Sequence, residues 1–129
     1  MTEQKQLQAI RDYVEWKFEY TSDQEQRGFP EHWVDREELA ELPDAERGEF
    51  KDDCDGFALA CRYQCREEGI DNSRLVYCLT ETGEGHLVLE VDGWILDNRR
   101  KWVTARDDVT YTWVSVSGVT KGDPWHRIV

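Results

Sequence analysis

Apolar residues recur with a helical period in the first half of the chain and with a period of two in the second. Leu7, Ile10, Val14 and Phe18 fall three or four apart, so Gln4 to about Phe18 is predicted to be an amphipathic helix. The stretch "YTSDQEQRGFPEHW" then carries turn chemistry, with Ser22, Asp23, Gly28 and Pro30 breaking any regular pattern. Asp35, with Glu38 three residues on, reads as a capping box opening a short helix that ends before Pro43. A polar loop, "PDAERGEFKDD", follows. A third helix is predicted from about Cys54 to Glu68, with Gly69 as the residue just past its end.

After Gly69 the period changes. "RLVYCLT" is a strand candidate, and "HLVLEVDGWILDN" is a hairpin, two β-rich runs joined by Asp92-Gly93. "TYTWVSVS" is a further strand, with a short one expected near the C-terminus. Helices first and antiparallel strands afterwards describe an α+β domain. A two-residue turn at Asp92-Gly93 sets Val91 opposite Trp94, Val88 opposite Asp97 and His86 opposite Arg99. Side chains alternate along a strand, so His86, Val88, Ile95 and Asp97 share one face. Leu87, Leu89, Val91, Trp94 and Leu96 occupy the other, a core face. His86 and Asp97 are diagonal neighbours on their face, close enough to touch.

Composition narrows the classes. At 129 residues the chain fits one domain spanning 1–129, without repeats or convincing linkers. Hydrophobic content of 39%, aromatic content of 12% and six Trp argue against disorder despite 34% charged residues. A net charge of -12 repels phosphate backbones, so no nucleic-acid partner is expected. No apolar run approaches the roughly 20 residues of a membrane span, and no membrane association is expected. The polar N-terminus shows no secretory signal, and four cysteines without one suggest reduced thiols in a cytoplasmic setting. Nothing in the pattern bears on oligomeric state.

The chemistry centres on Cys54, which stands among Asp52, Asp53 and Asp55. Carboxylates oppose a thiolate, whereas the dipole and free N–H groups at a helix start favour one. Asp53 suits the N-cap and Asp55 the positive helix end. The acids are also candidate calcium ligands, but two side chains fall short of the roughly six to eight oxygens calcium takes. A helix packed on the sheet would set Cys54 against His86, giving nucleophile, base and orienting acid in chain order. From the residues alone Cys54 stays open as nucleophile, metal ligand or core. Cys61, Cys65 and Cys78 read as small core residues, because no C-x-x-C pair exists and a straight helix spreads its sulfurs too far for tetrahedral zinc. His32 and His126 read as structural or surface residues. Arg99 is either a surface residue or a contact for a substrate carboxylate.

Three motifs sharpen this reading: "DDCDGFAL" opening a helix, "GHLVLEV" on a strand and "ILDN" at a strand end, preceded by "FEYTSDQEQRGFPEHW". In order and spacing, over about Tyr20 to Asn98, they resemble the bacterial transglutaminase-like cysteine peptidases. The resemblance implies a papain-like, transglutaminase-like fold, with the nucleophile helix packed on an antiparallel sheet. It implies a cysteine hydrolase acting on a protein or peptide substrate through a thioester, with Cys54 as nucleophile, His86 as general base and Asp97 as the acid orienting it. Trp33 resembles an upstream tryptophan that such enzymes use as an oxyanion donor; otherwise it is core or cleft wall. Some members bind calcium through acids flanking the cysteine and cleave bacterial surface adhesins. Here Asp53 and Asp55 remain but Gly56 replaces a further acid, so no required cofactor is expected. A compact intracellular or phage-encoded relative is expected rather than an adhesin-cleaving one. Amide transfer to an amine, or a binding or assembly module that leaves the triad unused, are the competing functions.

Overall fold

The computed structural model describes residues 4–23, 52–120 and 123–128, and among these the side chains of 4–17, 56–120 and 123–128. The helix expected from Asp35, His32 and Trp33 lie outside the described residues. Helix α1 spans Gln4–Asp23 and α2 spans Asp52–Glu67. Strands follow: β1 Arg74–Leu79, β2 Gly85–Val91, β3 Trp94–Leu96, β4 Thr104–Ala105, β5 Thr112–Val116 and β6 His126–Arg127, with a 3₁₀ turn at Arg106–Asp108. The expected α+β order holds, and no described helix is long and apolar enough to cross a membrane.

Both helices outrun their predicted limits. α1 continues five residues past Phe18, because Ser22 and Asp23 weaken a helix interior without ending it and the first strong breaker, Gly28, comes later. α2 begins at Asp52, which puts Asp53 inside the first turn rather than at the expected N-cap. Its other end closes as predicted on Gly69, whose φ of 83° is cheap only for glycine. The Gly69 N–H donates to the Arg66 carbonyl at 3.1 Å and the Ile70 N–H to the Cys65 carbonyl at 2.8 Å, with Ile70 and Cys65 both in the core.

The strands form one sheet of order β4-β3-β2-β1-β5-β6, antiparallel at every step. The β2–β3 register is the predicted one, Val91↔Trp94, and the turn residues Asp92 and Gly93 have φ of 51° and 86°, as a primed two-residue turn requires. Pairing stops at Leu89↔Leu96, sooner than expected. The Arg99 N–H turns back to Asp97 Oδ1 at 3.0 Å, and this local bond competes with continuation of the ladder.

The two faces of the sheet differ. α2 packs on β2 and α1 packs on α2 and β3. Leu7, Ile10 and Val14 of α1 and Phe57, Cys61 and Cys65 of α2 meet Leu75, Leu87, Leu89, Val91 and Leu96. Each such side chain removed from water contributes on the order of 1.5–3 kcal/mol. On the far face Val76, Cys78, Val88, Ile95, Val109 and Tyr111 form a smaller core.

Chain direction then fixes where the helix starts. A helix of 16 residues is about 24 Å long, close to the span of the strands beneath it. From its end the chain turns into β1, which runs back toward the start of α2, and β2 begins at that same end. Cys54, the third residue of α2, and His86, the second of β2, therefore lie at one end of the two layers.

Candidate active site

The polar pair predicted from the hairpin is present. His86 Nε2 lies 2.7 Å from Asp97 Oδ1, and both residues are buried, at 5% and 2% exposure. Alternation along β2 and β3 places them with Val88 and Ile95, on the face away from the helices. Asp97 follows the last residue of β3, and its carboxylate gathers donors. Besides His86 it accepts the Arg99 N–H at 3.0 Å on Oδ1 and the Tyr111 hydroxyl at 2.7 Å on Oδ2. Burial alone would raise the Asp97 pKa. The hydrogen bond and charge of His86, the Arg99 amide and the Tyr111 hydroxyl outweigh it and hold the carboxyl below its ordinary range. The result is a buried carboxylate with a donor on each oxygen, which is how a buried charge is tolerated.

With Nε2 committed to Asp97, the imidazole's remaining nitrogen is Nδ1. A carboxylate accepting from Nε2–H leaves Nδ1 as a proton acceptor, the state a general base needs.

Tyr111 was read from sequence only as part of a strand. It stands immediately before β5, and its ring meets His86 edge-on, with centroids 5.6 Å apart and planes at 82°. The guanidinium carbons of Arg99 and Arg100 lie 5.8 and 6.0 Å from the ring centre. Burial, then the bond to Asp97 and its charge, push the Tyr111 phenol well above its ordinary pKa, so the hydroxyl stays protonated and donates. Arg99, left open by the sequence, contributes its backbone to Asp97, while its side chain is exposed and lies 3.9 Å from Glu81.

The core face expected from alternation is the one the helices cover: Leu87, Leu89 and Val91 meet them, and His86 and Val88 point the other way. The layers communicate elsewhere. Because β3 pairs only with Leu89, Glu90 and Val91, the edge of β2 beside His86 has no β3 partner. Arg11 of α1, only 2% exposed, reaches the backbone just past β3. Its Nε donates to the Asp97 carbonyl at 3.3 Å, and its guanidinium carbon lies 5.7 Å from the centre of the Phe57 ring. Phe57 is one helical turn beyond Cys54. A buried arginine with a 2.6 Å ion pair to Glu15 had no motif to announce it.

The other thiols are placed as expected. Cys61, Cys65 and Cys78 are buried and not in disulfides. Burial, then the neighbouring Cys65, pushes Cys61 well up, and burial, then Glu68, pushes Cys65 up to about 12. The Cys78 Sγ lies 3.4 Å from the His86 carbonyl, beside the backbone rather than the ring. His126 is an exposed residue of β6. The side chains of Cys54, Asp53 and Asp55 lie outside the described residues, as does Trp33. Among the described residues no group of three or more His, Cys, Asp or Glu side chains is arranged to hold a metal ion.

Structures of Legionella pneumophila LapG share this fold. One has a TM-score of 0.59 at 16% identity, covering 95% of this chain and 67% of its own. An EGTA-treated form gives 0.59 at 16% identity over 95% and 65%, and a calcium-bound form 0.56 at 16% over 95% and 67%. The chain thus spans about two thirds of the length of those proteins. No curated protein matches it at a significant level. A family model described as the bacterial transglutaminase-like cysteine proteinases, BTLCP, matches residues 1–129, and the chain, a papain-like α+β protein, belongs to that family.

Proposed function

We propose that the protein is a cysteine peptidase working through a Cys54-His86-Asp97 triad on protein or peptide substrates. The observation that carries this reading is the buried His86–Asp97 pair, at 2.7 Å, at the end of the sheet where the Cys54 helix begins. In this reading the first turn of α2 reaches His86 past the open edge of β2, alongside Arg11 and Phe57. Elimination among the thiols supports it too, since Cys61 and Cys65 are buried and hard to ionise.

The chemistry follows from these positions. His86 Nδ1 takes the Cys54 proton, and Asp97 holds the resulting imidazolium through Nε2. The thiolate attacks the scissile carbonyl carbon, forming a C–S bond and an oxyanion. The Cys54 backbone N–H is the first donor for that oxyanion and Trp33 a further candidate. As the C–N bond breaks, the amine leaves with the proton from Nδ1, and a thioester remains. Water, losing its proton to His86, then releases the acid and restores the thiol. An amine in place of water would give amide transfer by the same half-reaction.

Asp53 and Asp55 supply oxygen donors of the kind a hard cation prefers, so they would hold calcium if it binds. There it would offset their negative charge beside the Cys54 thiolate. Two acids leave most of a calcium shell unfilled, and Gly56 adds no ligand. A calorimetric calcium titration should therefore show weak binding, and micromolar or tighter affinity would contradict this.

Iodoacetamide labelling near neutral pH, read by peptide mapping, tests the assignment. Cys54 should react far faster than Cys61, Cys65 or Cys78. Cys54→Ala should remove peptidase activity without unfolding the protein, whereas Cys61→Ala and Cys65→Ala should keep much of it. A Cys54 no faster than the buried thiols would favour a binding or assembly module on the same fold.

A further inference from the structure

We propose that Tyr111 is a positioning residue of this site: its hydroxyl, donating to Asp97 Oδ2 at 2.7 Å, and its ring edge, 5.6 Å from the imidazole, together hold the His86–Asp97 pair in its working orientation. The inference rests on the triad reading above and adds to it a residue outside the three motifs.

A carboxylate beside an imidazole can rotate about its Cβ–Cγ bond. If it did, the imidazole would lose the partner that fixes its tautomer. Here both oxygens are tied. Oδ1 takes His86 Nε2 and the Arg99 N–H, and Oδ2 takes Tyr111. Among the described hydrogen bonds, the Tyr111 hydroxyl provides the one to Oδ2. Removing it leaves a buried oxygen short of a donor, a costly state that rotation would relieve at the expense of the His86 bond. The aromatic contact restrains the same pair from the side, since an edge-on ring blocks tilting of the imidazole.

The ring is itself held. Trp113 packs against it with centroids 6.0 Å apart, and Arg99 and Arg100 place cationic groups over it. Those positive charges favour electron withdrawal from the phenol oxygen and strengthen its O–H as a donor. The arrangement runs from Trp113 through Tyr111 to Asp97 and His86, and Tyr111 acts on the imidazole through Asp97 and the ring contact.

Tyr111→Phe keeps the ring and removes the donor. Two readouts follow. The first is the His86 Nε2–H proton resonance in protein labelled with ¹⁵N-histidine, assigned by its loss in His86→Gln. In the parent protein it should be far downfield and protected from exchange; in Tyr111→Phe it should move upfield and exchange faster. The second is the rate of iodoacetamide labelling of Cys54 at neutral pH, which should fall by about tenfold, the scale of losing one hydrogen bond to a charged group. A residue that only stabilised the fold would lower the melting temperature and leave the resonance and the labelling rate of folded protein unchanged, and that result overturns the proposal. Should Tyr111→Phe fail to fold, a more acidic fluorinated tyrosine incorporated at position 111 keeps the shape and strengthens the donor. It should shift the His86 resonance, and an unmoved resonance counts against the proposal. Asp97→Asn, measured beside these, separates the two readings. If it slows labelling while Tyr111→Phe does not, the triad stands and the role of Tyr111 falls. If neither slows it, the triad reading itself fails.

Discussion

The β2–β3 hairpin turns one face to the helices and carries the His86–Asp97 pair on the other, and the two faces solve different problems. On the helix side Leu87, Leu89, Val91 and Leu96 are buried among Leu7, Ile10, Val14 and the apolar face of α2. Nothing there requires a particular atom at a particular angle, only volume and dryness. On the far side His86 and Asp97 are buried almost as deeply, yet their burial is costly and is offset by directed hydrogen bonds from His86, Arg99 and Tyr111. Alternation along each strand thus sends Leu87, Leu89, Val91 and Leu96 to the packed face and His86 and Asp97 to the other. Arg11 ties the helix layer to the backbone of Asp97.

The difference is tested most strongly by changing one residue on each face. Asp97→Asn keeps the shape of the side chain but replaces an acceptor with a group that can favour the wrong imidazole tautomer. Turnover should fall by up to about 10⁴-fold, the scale seen when a triad acid is neutralised this way, while the melting temperature changes little. Leu89→Ala, at a position 0% exposed, should do the reverse. It should cost about 2–5 kcal/mol in denaturant unfolding while the remaining folded molecules keep their specific activity. Equal losses of activity per folded molecule in the two variants would show that the faces are not separable.

A smaller effect probes the boundary. Gly85 precedes His86 and points to the helix side, where an added Cβ would come 2.5 Å from the Tyr77 hydroxyl oxygen. That atom ends a flexible side chain, so Tyr77 can shift. Gly85→Ala should lower stability by about 1–3 kcal/mol, the usual range for overpacking, and leave the His86–Asp97 bond intact. A loss of activity matching that of Asp97→Asn would mean that strain passes along β2 from one face to the other.

What the sequence disclosed follows the range of the interactions. The hairpin register was legible because two residues, Asp92 and Gly93, fix it locally, and the alternation around them then put His86 beside Asp97. The end of α2 was legible for the same reason, since Gly69 carries its own conformational signature. Tyr111 was not, because β5 joins the sheet next to β1 and its contact with Asp97 depends on that non-local pairing. Arg11 was hidden in the period of α1, where a basic residue among apolar neighbours reads as an exposed charge. Alternation also separated the faces of the hairpin and marked the one lacking His86 as the core face, which the helices cover. The family motifs pointed to Cys54 and Trp33, whose side chains lie outside the described residues, so those two roles still rest on sequence and on the tests above.

The smallest expected difference concerns acid stability. The Asp97 carboxyl is held below its ordinary pKa in the folded protein, so its charged form favours folding. For a group depressed in this way the contribution is fully present above the unfolded value, about 3.9 for Asp, and is lost as pH falls through the lower folded value. The parent protein should therefore lose stability relative to Asp97→Asn on acidification below about pH 4. No residue of the apolar face titrates in this window, so Leu89→Ala should run parallel to the parent protein throughout. Denaturant unfolding measured in steps from neutral pH to pH 3 checks this. A parent protein and Asp97→Asn that stay parallel to the lowest pH would show that the donors around Asp97 give its carboxylate no net preference for the folded state. The buried pair would then serve orientation alone.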